Sequence, residues 1–275
     1  MSNTEKESLI NYIVSSLEQN LEKKTSQWCS NEDFITNYFY IDNLIPDEVA
    51  KKIFSEINLV DDKYWFSRSS FRERKKEFVK LDIGGKILSD ITEAFHNQKV
   101  IDLITKITKI GGLESDPSLF AGGITRMDIN DFLNPHIDNS HDSKRKKFRR
   151  LNLLYYLSPN WSLKNGGNFE LWNKQKTKPI TIVSKFNRLV IMETNKQSWH
   201  SVSMVKSNKP RCCISNYYYS NISPNKKQYF HVTSFAGRPE ENIKKKLFIF
   251  DNFLRNFFSR ITRIGRGKNN VNKKF

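Results

Sequence analysis

Between Leu119 and Ser220 the chain breaks into short runs of β-branched and aromatic residues, spaced roughly 8–12 residues apart by turn chemistry. The runs are FAGGITRMDI, the region at NPHID, RLNLLYYLS, NFELW after Gly166-Gly167, PITIV, RLVIME, WHSVSMV and RCCISNYYYS. Seven or eight strands with such regular punctuation fold as a sandwich or a barrel-like roll. The segment before Leu119 reads differently. Residues 1 to about 30 place Ile10, Ile13, Leu17 and Leu21 on one helical stripe. A strand-like Thr36–Asp42 follows, then a helix opened by Pro46 and the acidic pair Asp47-Glu48, burying Val49, Ile53, Phe54 and Ile57. Residues 86–110 carry a second helical pattern, with a break near Asn97. Helices first and strands after give an α+β chain: a double-stranded β-helix (jelly roll) backed by a layer of N-terminal helices.

The residues divide into an N-terminal helical extension (1–33), a central domain (34–235, roll core about 119–222) and a basic amphipathic C-terminal segment (236–275). In the last, Leu247, Phe250, Leu254, Phe257, Ile261 and Ile264 form an apolar stripe, with Lys244, Lys245, Arg255, Arg260 and Arg263 flanking or opposing it. The plain reading is a helix packed on its own domain or on a second subunit. The sharper one is a helix over 240–264 lying on an anionic membrane surface. The final GKNNVNKKF reads as frayed.

Charge bears on partners. Lys and Arg number 46 against 29 Asp and Glu, a net +17. Residues 236–275 hold 11 basic and 3 acidic residues, so +8 sits there and +9 is spread over the rest, partly in the loop-like KRKKFRR of Lys144–Arg150. No basic stretch is interleaved with aromatics in the manner of a base-stacking groove, so nucleic acid is not expected. No run of ~20 apolar residues spans a membrane, and the N-terminus lacks the basic and apolar regions of a signal peptide. Cys29, Cys212 and Cys213 make no disulfide framework, and the reading is a cytoplasmic protein, with a membrane-surface association left open.

Chemistry concentrates at two of five histidines. In Phe132–Asp138 (FLNPHID), the His136-x-Asp138 spacing on an extended segment puts imidazole and carboxylate on one strand face. His200 follows the apolar run RLVIME, and a returning antiparallel strand can bring it opposite that pair. Two imidazoles and a carboxylate are the facial ligand set of non-haem Fe(II), with open positions left over. Arg211 opens the next strand, and its planar fork suits the distal carboxylate of a keto-acid cosubstrate, although it could also pair with a surface carboxylate. His141-Asp142 is an alternative ligand pair in a polar loop. His96 and His231 read as structural, Cys212-Cys213 as buried strand residues, and Trp161, Trp172 and Trp199 as packing.

His136-x-Asp138, His200 and Arg211, in this order, resemble the 2-oxoglutarate/Fe(II)-dependent oxygenase superfamily in its prolyl 4-hydroxylase-like branch. FYIDNLIPDEVAKKIF resembles the opening strand and helix of that family, FLNPHIDN its metal-binding strand, and RLNLLYYLSPNW, GGNFELW and NRLVIMETNKQSWHSV its following segments, together covering about 34–222. The resemblance implies Fe(II) on His136, Asp138 and His200, 2-oxoglutarate on Arg211 with support from Tyr156, and dioxygen as the oxidant, with ascorbate as an accessory reductant. Asn152, Leu154 and Tyr156 share a strand face by alternation. Two positions depart from the family pattern: Arg126-Met127 stand where a Tyr is frequent, and Cys213 where Ser or Thr is. The implied reaction is hydroxylation of an unactivated C–H coupled to decarboxylation of 2-oxoglutarate to succinate and CO2. Asp138 favours that outcome, because related halogenases lack the carboxylate. The second substrate is open between a peptidyl proline and a small molecule or glycan, and a homodimer is open too. The competing classes are a nucleic-acid oxygenase or demethylase on the same fold and a non-catalytic membrane-surface binding module.

Overall fold

The computed structural model describes residues 3–29, 36–224 and 227–262. Helices α1 (Asn3–Gln19) and α2 (Leu21–Cys29) are followed by strand β1 (Tyr38–Asp42) and helix α3 (Asp47–Leu59). A hairpin, β2 (Phe66–Ser69) and β3 (Glu73–Phe78), precedes α4 (Lys86–Ala94) and α5 (Gln98–Thr108). Then come β4 (Glu114–Ser115), β5 (Gly123–Met127), β6 (Phe132–Ile137), β7 (Phe148–Tyr156), β8 (Phe169–Trp172), β9 (Pro179–Ile182), β10 (Arg188–Glu193), β11 (His200–Val202), β12 (Arg211–Ser220) and β13 (Ser234–Phe235). Helix α6 (Asn242–Thr262) closes the described chain. All eight strand runs read from the sequence are present, and the helix break near Asn97 is the N-cap of α5, where the Asn97 side chain accepts from the Lys99 amide at 2.9 Å.

The strands form one curled antiparallel sheet in the order β1-β10-β7-β12-β5-β3-β6-β11-β8-β9, with β2 and β13 on its margins and β4 beside β12. Strict alternation divides its central strands between two environments. Leu151, Leu153 and Tyr155 of β7, Leu189 and Ile191 of β10, and Cys212 and Ile214 of β12 face the helices, in one core with Ile13, Leu17, Ile53, Ile91 and Ile104. Their neighbours Tyr156, Val190, Met192 and Cys213 face inward and pack with Phe169, Leu171 and Ile182 of the opposing strands. The roll interior is thereby walled on one side by a helix-backed sheet. The N-terminal helices are part of this main core, since Leu9, Ile13 and Leu17 are fully buried in it.

Two expectations need correcting. The stretch before Leu119 is not purely helical, because β2 and β3 are inserted and β3 pairs with both β5 and β6. Its sequence, ERKKEF, has no apolar alternation. Its charges are satisfied instead by ion pairs of Lys75 with Glu73 (3.3 Å) and Glu77 (2.9 Å) and of Arg68 with Glu77 (2.6 Å). The last helix does pack on its own domain, but not through most of the stripe read from its sequence. Helix α6 docks through Phe248, Asp251, Asn252 and Ser259, whereas Leu247, Phe250, Phe257 and Ile261 face solvent. Ile264 and the GKNNVNKKF segment lie outside the described residues.

Because the fully buried Leu17 belongs to the shared core, Leu17→Ala should cost the whole protein about 2–5 kcal/mol. Urea denaturation should show this as a lower midpoint with a single transition. Loss of an early, separate transition with the main one unmoved would mean that α1 is an independent appendage.

Candidate metal centre

β6 and β11 are antiparallel neighbours whose register sets His200 directly across from His136. The two rings lie 4.1 Å apart between centroids. Asp138, one residue past the end of β6, completes the group, with Oδ1 3.7 Å from His136 Nε2 and Oδ2 3.4 Å from His200 Nε2. The three candidate ligand atoms lie within 4.8 Å of one another. Both imidazoles are oriented alike: each Nδ1 is 2.9 Å from the backbone carbonyl two residues back, Asn134 for His136 and Ser198 for His200. A carbonyl can only accept, so Nδ1 carries the proton and each Nε2 presents its lone pair to the shared centre. Burial, and to a lesser degree the neighbouring His200, lowers the His136 pKa to about 3, so that ring is neutral at pH 7. Phe235 of β13 stacks on His136 at 5.4 Å, and Phe169 packs against His200 at 5.7 Å.

Asp138 is held from behind. Its Oδ2 accepts from Asn152 Nδ2 at 2.8 Å and lies 3.2 Å from Arg149 Nη2. Burial alone would raise this carboxyl, but Arg149 and the two histidines hold it well below the usual carboxylate range. Arg149 is itself fixed, donating to Asn152 (2.8 Å) and Asn139 (3.3 Å) and stacking 3.4 Å over the Tyr217 ring. The sequence reading puts Arg149 in the loop-like basic run Lys144–Arg150; it lies instead in β7, 2 % exposed. The reason is a register shift. Tyr218 pairs with Leu151 and Tyr219 with Arg149, so one extra residue, Arg150, is accommodated. Arg149 and Asn152, which alternation would put on opposite faces, therefore both point into the roll. Arg150 points elsewhere, to the Ile222 carbonyl (2.7 Å) and Glu193 (3.6 Å).

Arg211, at the start of β12, lines the same cavity of about 80 Å³ as the His-Asp-His group, together with Asn152 and Leu154. Its Nε donates to the Gly167 carbonyl (2.6 Å) and the Ser184 hydroxyl (3.2 Å), while Nη1 meets only the Met127 sulfur, at 3.5 Å. The outer fork of the guanidinium is thus left with a weak thioether acceptor, a poor match for a buried cation. Gly167 allows the close approach, since at φ +60° a Cβ there would stand 2.8 Å from Arg211 Cδ. The Tyr156 ring lies 4.9 Å from the Arg211 guanidinium, and its buried hydroxyl has no hydrogen-bond partner. Burial raises that phenol above the usual tyrosine range. Two tautomer-fixed imidazoles, a charge-balanced carboxylate, an under-satisfied arginine fork and an orphan hydroxyl fit a divalent metal plus a small carboxylate-bearing ligand.

The remaining sequence candidates fall elsewhere. His141 is buried against Phe148 with Nδ1 2.8 Å from Ser140 Oγ, and the Asp142 carboxylate accepts from the Lys146 and Lys147 amides, so this pair stays apart from the metal group. His96 Nε2 meets Asn216 Oδ1 at 3.0 Å, and His231 stacks on Tyr229. Burial pushes the thiols of Cys212 and Cys213 up to about 12 and about 11, which argues against nucleophilic roles. At the departures from the family pattern, Arg126 pairs outward with Asp128 (3.0 Å), Met127 touches Arg211, and Cys213 lines the cavity. Glu73 and Lys75 line it as well, and the sequence gives no sign of this because the strand carrying them is so highly charged.

Arg149→Met should destabilise the metal-free protein by about 3–5 kcal/mol at pH 7, because it leaves the Asp138 carboxylate buried without its countercharge. The gap should narrow as pH falls toward 3.8. Over that range the variant's carboxyl can take up a proton, and below it the wild type loses the contribution of its depressed carboxyl. Chemical denaturation across pH reads both effects; a pH-independent gap would mean that Arg149 acts through packing alone.

Residues 122–219 match the family model described as the 2OG-Fe(II) oxygenase superfamily. No curated protein sequence matches the chain. Among solved structures, it is similar to a prolyl hydroxylase in complex with a hypoxia inducible factor oxygen degradation domain peptide fragment from Trichoplax adhaerens. That likeness has a TM-score of 0.55 and 16 % identity, over 78 % of this chain and 96 % of the other. It is also similar to a Pseudomonas putida prolyl-4-hydroxylase (0.51, 11 %, over 73 % and 98 %). A third likeness is to the non-heme alpha ketoglutarate dependent epimerase of nogalamycin biosynthesis (0.51, 12 %, over 81 % and 86 %). At such identities these likenesses speak to the fold, and the family match speaks to the strands that carry the site. Residues 122–219 therefore match the 2OG-Fe(II) oxygenase superfamily, and the chain shares the jelly-roll fold of the prolyl hydroxylases.

Proposed function

We propose that His136, Asp138 and His200 hold Fe(II), that Arg211 with Tyr156 holds the distal carboxylate of 2-oxoglutarate, and that the enzyme hydroxylates an unactivated C–H of a second substrate. The observation that carries this reading is the pairing, in one cavity, of a His-Asp-His ligand set with an arginine whose outer fork lacks a strong acceptor. Bound there, Fe(II) with 2-oxoglutarate and dioxygen supplies oxidation of a C–H bond coupled to decarboxylation of the keto acid to succinate and CO2.

The chain's own part is positional and electrostatic. The Asn134 and Ser198 carbonyls keep both Nε2 lone pairs aimed at one point. Arg149 and Asn152 occupy Asp138 Oδ2 and leave Oδ1 free of them. Gly167 and Ser184 fix Arg211 through Nε, so that its far edge can meet a carboxylate without rearranging. Phe235 and Phe169 wall the histidines from water. The lining also includes Glu73 and Lys75, paired with each other at 3.3 Å, beside the apolar Met127, Leu133 and Val202.

Air-equilibrated wild-type protein supplied with Fe(II) should convert 2-oxoglutarate slowly to succinate even without its second substrate, as followed by NMR. His200→Ala should abolish the conversion. Arg211→Ala should raise the apparent KM for 2-oxoglutarate roughly tenfold to a hundredfold, the worth of a charge-assisted hydrogen-bond pair. Absence of succinate with the folded wild type, or an unchanged KM in Arg211→Ala, would contradict the assignment.

A further inference from the structure

Helix α6 is fastened to the roll by one face only. Phe248 is buried between Phe71 of the β2–β3 turn and Phe235. Asn252 donates to the Phe235 carbonyl at 2.6 Å and accepts from its amide at 2.8 Å. Asp251 is taken up by Arg72, and Ser259 by Arg145. Phe235 is also the residue that stacks on His136, so the helix docks on the metal-centre side of the roll.

The opposite face is apolar and open. Ile249 (71 %), Phe250 (64 %), Phe253 (65 %), Phe257 (50 %) and Ile261 (65 %) are exposed at helical spacing, and no other element among the described residues covers them. Surface apolar side chains are ordinarily scattered singly, and a contiguous stripe marks an interaction surface. The sequence here is strongly basic. Residues 236–275 hold 11 Lys and Arg against Glu240, Glu241 and Asp251. Asp251 is answered by Arg72, Lys244 pairs with Glu241, and Arg255 lies over the Phe235 ring on the docked side, so the remaining basic residues carry the excess.

We propose that α6 is an in-plane anchor for an anionic lipid surface, with Ile249, Phe250, Phe253 and Phe257 entering the headgroup–acyl boundary and the basic residues meeting lipid phosphates and carboxylates. An apolar face rich in phenylalanine beside a dense positive charge is the composition such an interface selects. Self-association through the same face would bring two net-basic segments together, whereas an anionic membrane removes that repulsion. No helix among the described residues is long and apolar enough to cross a membrane, so the helix lies on the surface instead of spanning it. This inference does not depend on the oxygenase assignment.

Flotation of the full chain with vesicles tests it. Vesicles with about 30 % phosphatidylserine should bind the wild type roughly a hundredfold more tightly than pure phosphatidylcholine, and added salt should weaken the binding. The double variant Phe250→Ser/Phe257→Ser, at exposed positions, should unfold at the wild-type temperature and lose vesicle binding at least about tenfold. Equal binding to neutral and anionic vesicles, or binding unaffected by the variant, would overturn the proposal. So would a wild-type dimer by light scattering that binds no vesicles and that the variant turns into a monomer, since the face would then be a contact between copies of this chain.

Discussion

The buried contact between Arg149 and Asp138 is the interaction on which the centre depends. A carboxylate placed between two imidazoles in the interior of a roll would, by desolvation alone, take up a proton and cease to be a ligand. The guanidinium 3.2 Å away keeps it ionised, and Asn152 uses a second lone pair of the same oxygen. Much of the surrounding structure follows from housing that arginine. The register shift in β7 turns it inward, Tyr217 supplies a ring for its flat face, and Asn139 and Asn152 accept its protons. Such a pair contributes little to net stability, because both charges must be desolvated. Its value lies in fixing the charge and direction of one oxygen atom.

The charge balance of the cavity also follows. Arg149 and Asp138 cancel, Lys75 is answered by Glu73 and Glu77, and Arg211 remains with its outer fork short of a strong acceptor. A dication and a dianionic keto acid, held as proposed, would add no net charge to this interior, and the keto acid's far carboxylate would bring the partner that Arg211 lacks. The fold makes the balance possible by two-sidedness: β7, β10 and β12 use alternate residues to bury aliphatic surface against the helices and to line a chemically active interior. The helices stiffen the wall from which Asn152, Tyr156 and Arg211 project.

His136, Asp138, His200 and Arg211 could be read in the sequence because His136, His200 and Arg211 sit on strands with regular alternation, Asp138 directly follows one, and their order along the chain is distinctive. Arg149 could not, because the register shift at Arg150 breaks the very alternation such a reading relies on. The β2–β3 hairpin was hidden for a different reason: a strand stabilised by ion pairs has no apolar period to detect. Periodicity did locate the stripe on α6, but a period records only which side chains share a face, and the face that docks here is the neighbouring one built on Phe248 and Asn252. Tyr156 was placed correctly on the inward face of β7, yet its unsatisfied hydroxyl and its position beneath Arg211 emerge only in three dimensions.

The central claim is that this preformed pocket takes a metal and a keto acid together. Anaerobic titration of the apoprotein with Fe(II) in the presence of 2-oxoglutarate tests it without any second substrate. A visible metal-to-ligand charge-transfer band should grow in and saturate near ~1 Fe(II) per chain, as one His-Asp-His ligand set requires. It should be absent in His200→Ala. A folded wild-type protein that shows no band, or a band that persists unchanged in His200→Ala, would contradict the account.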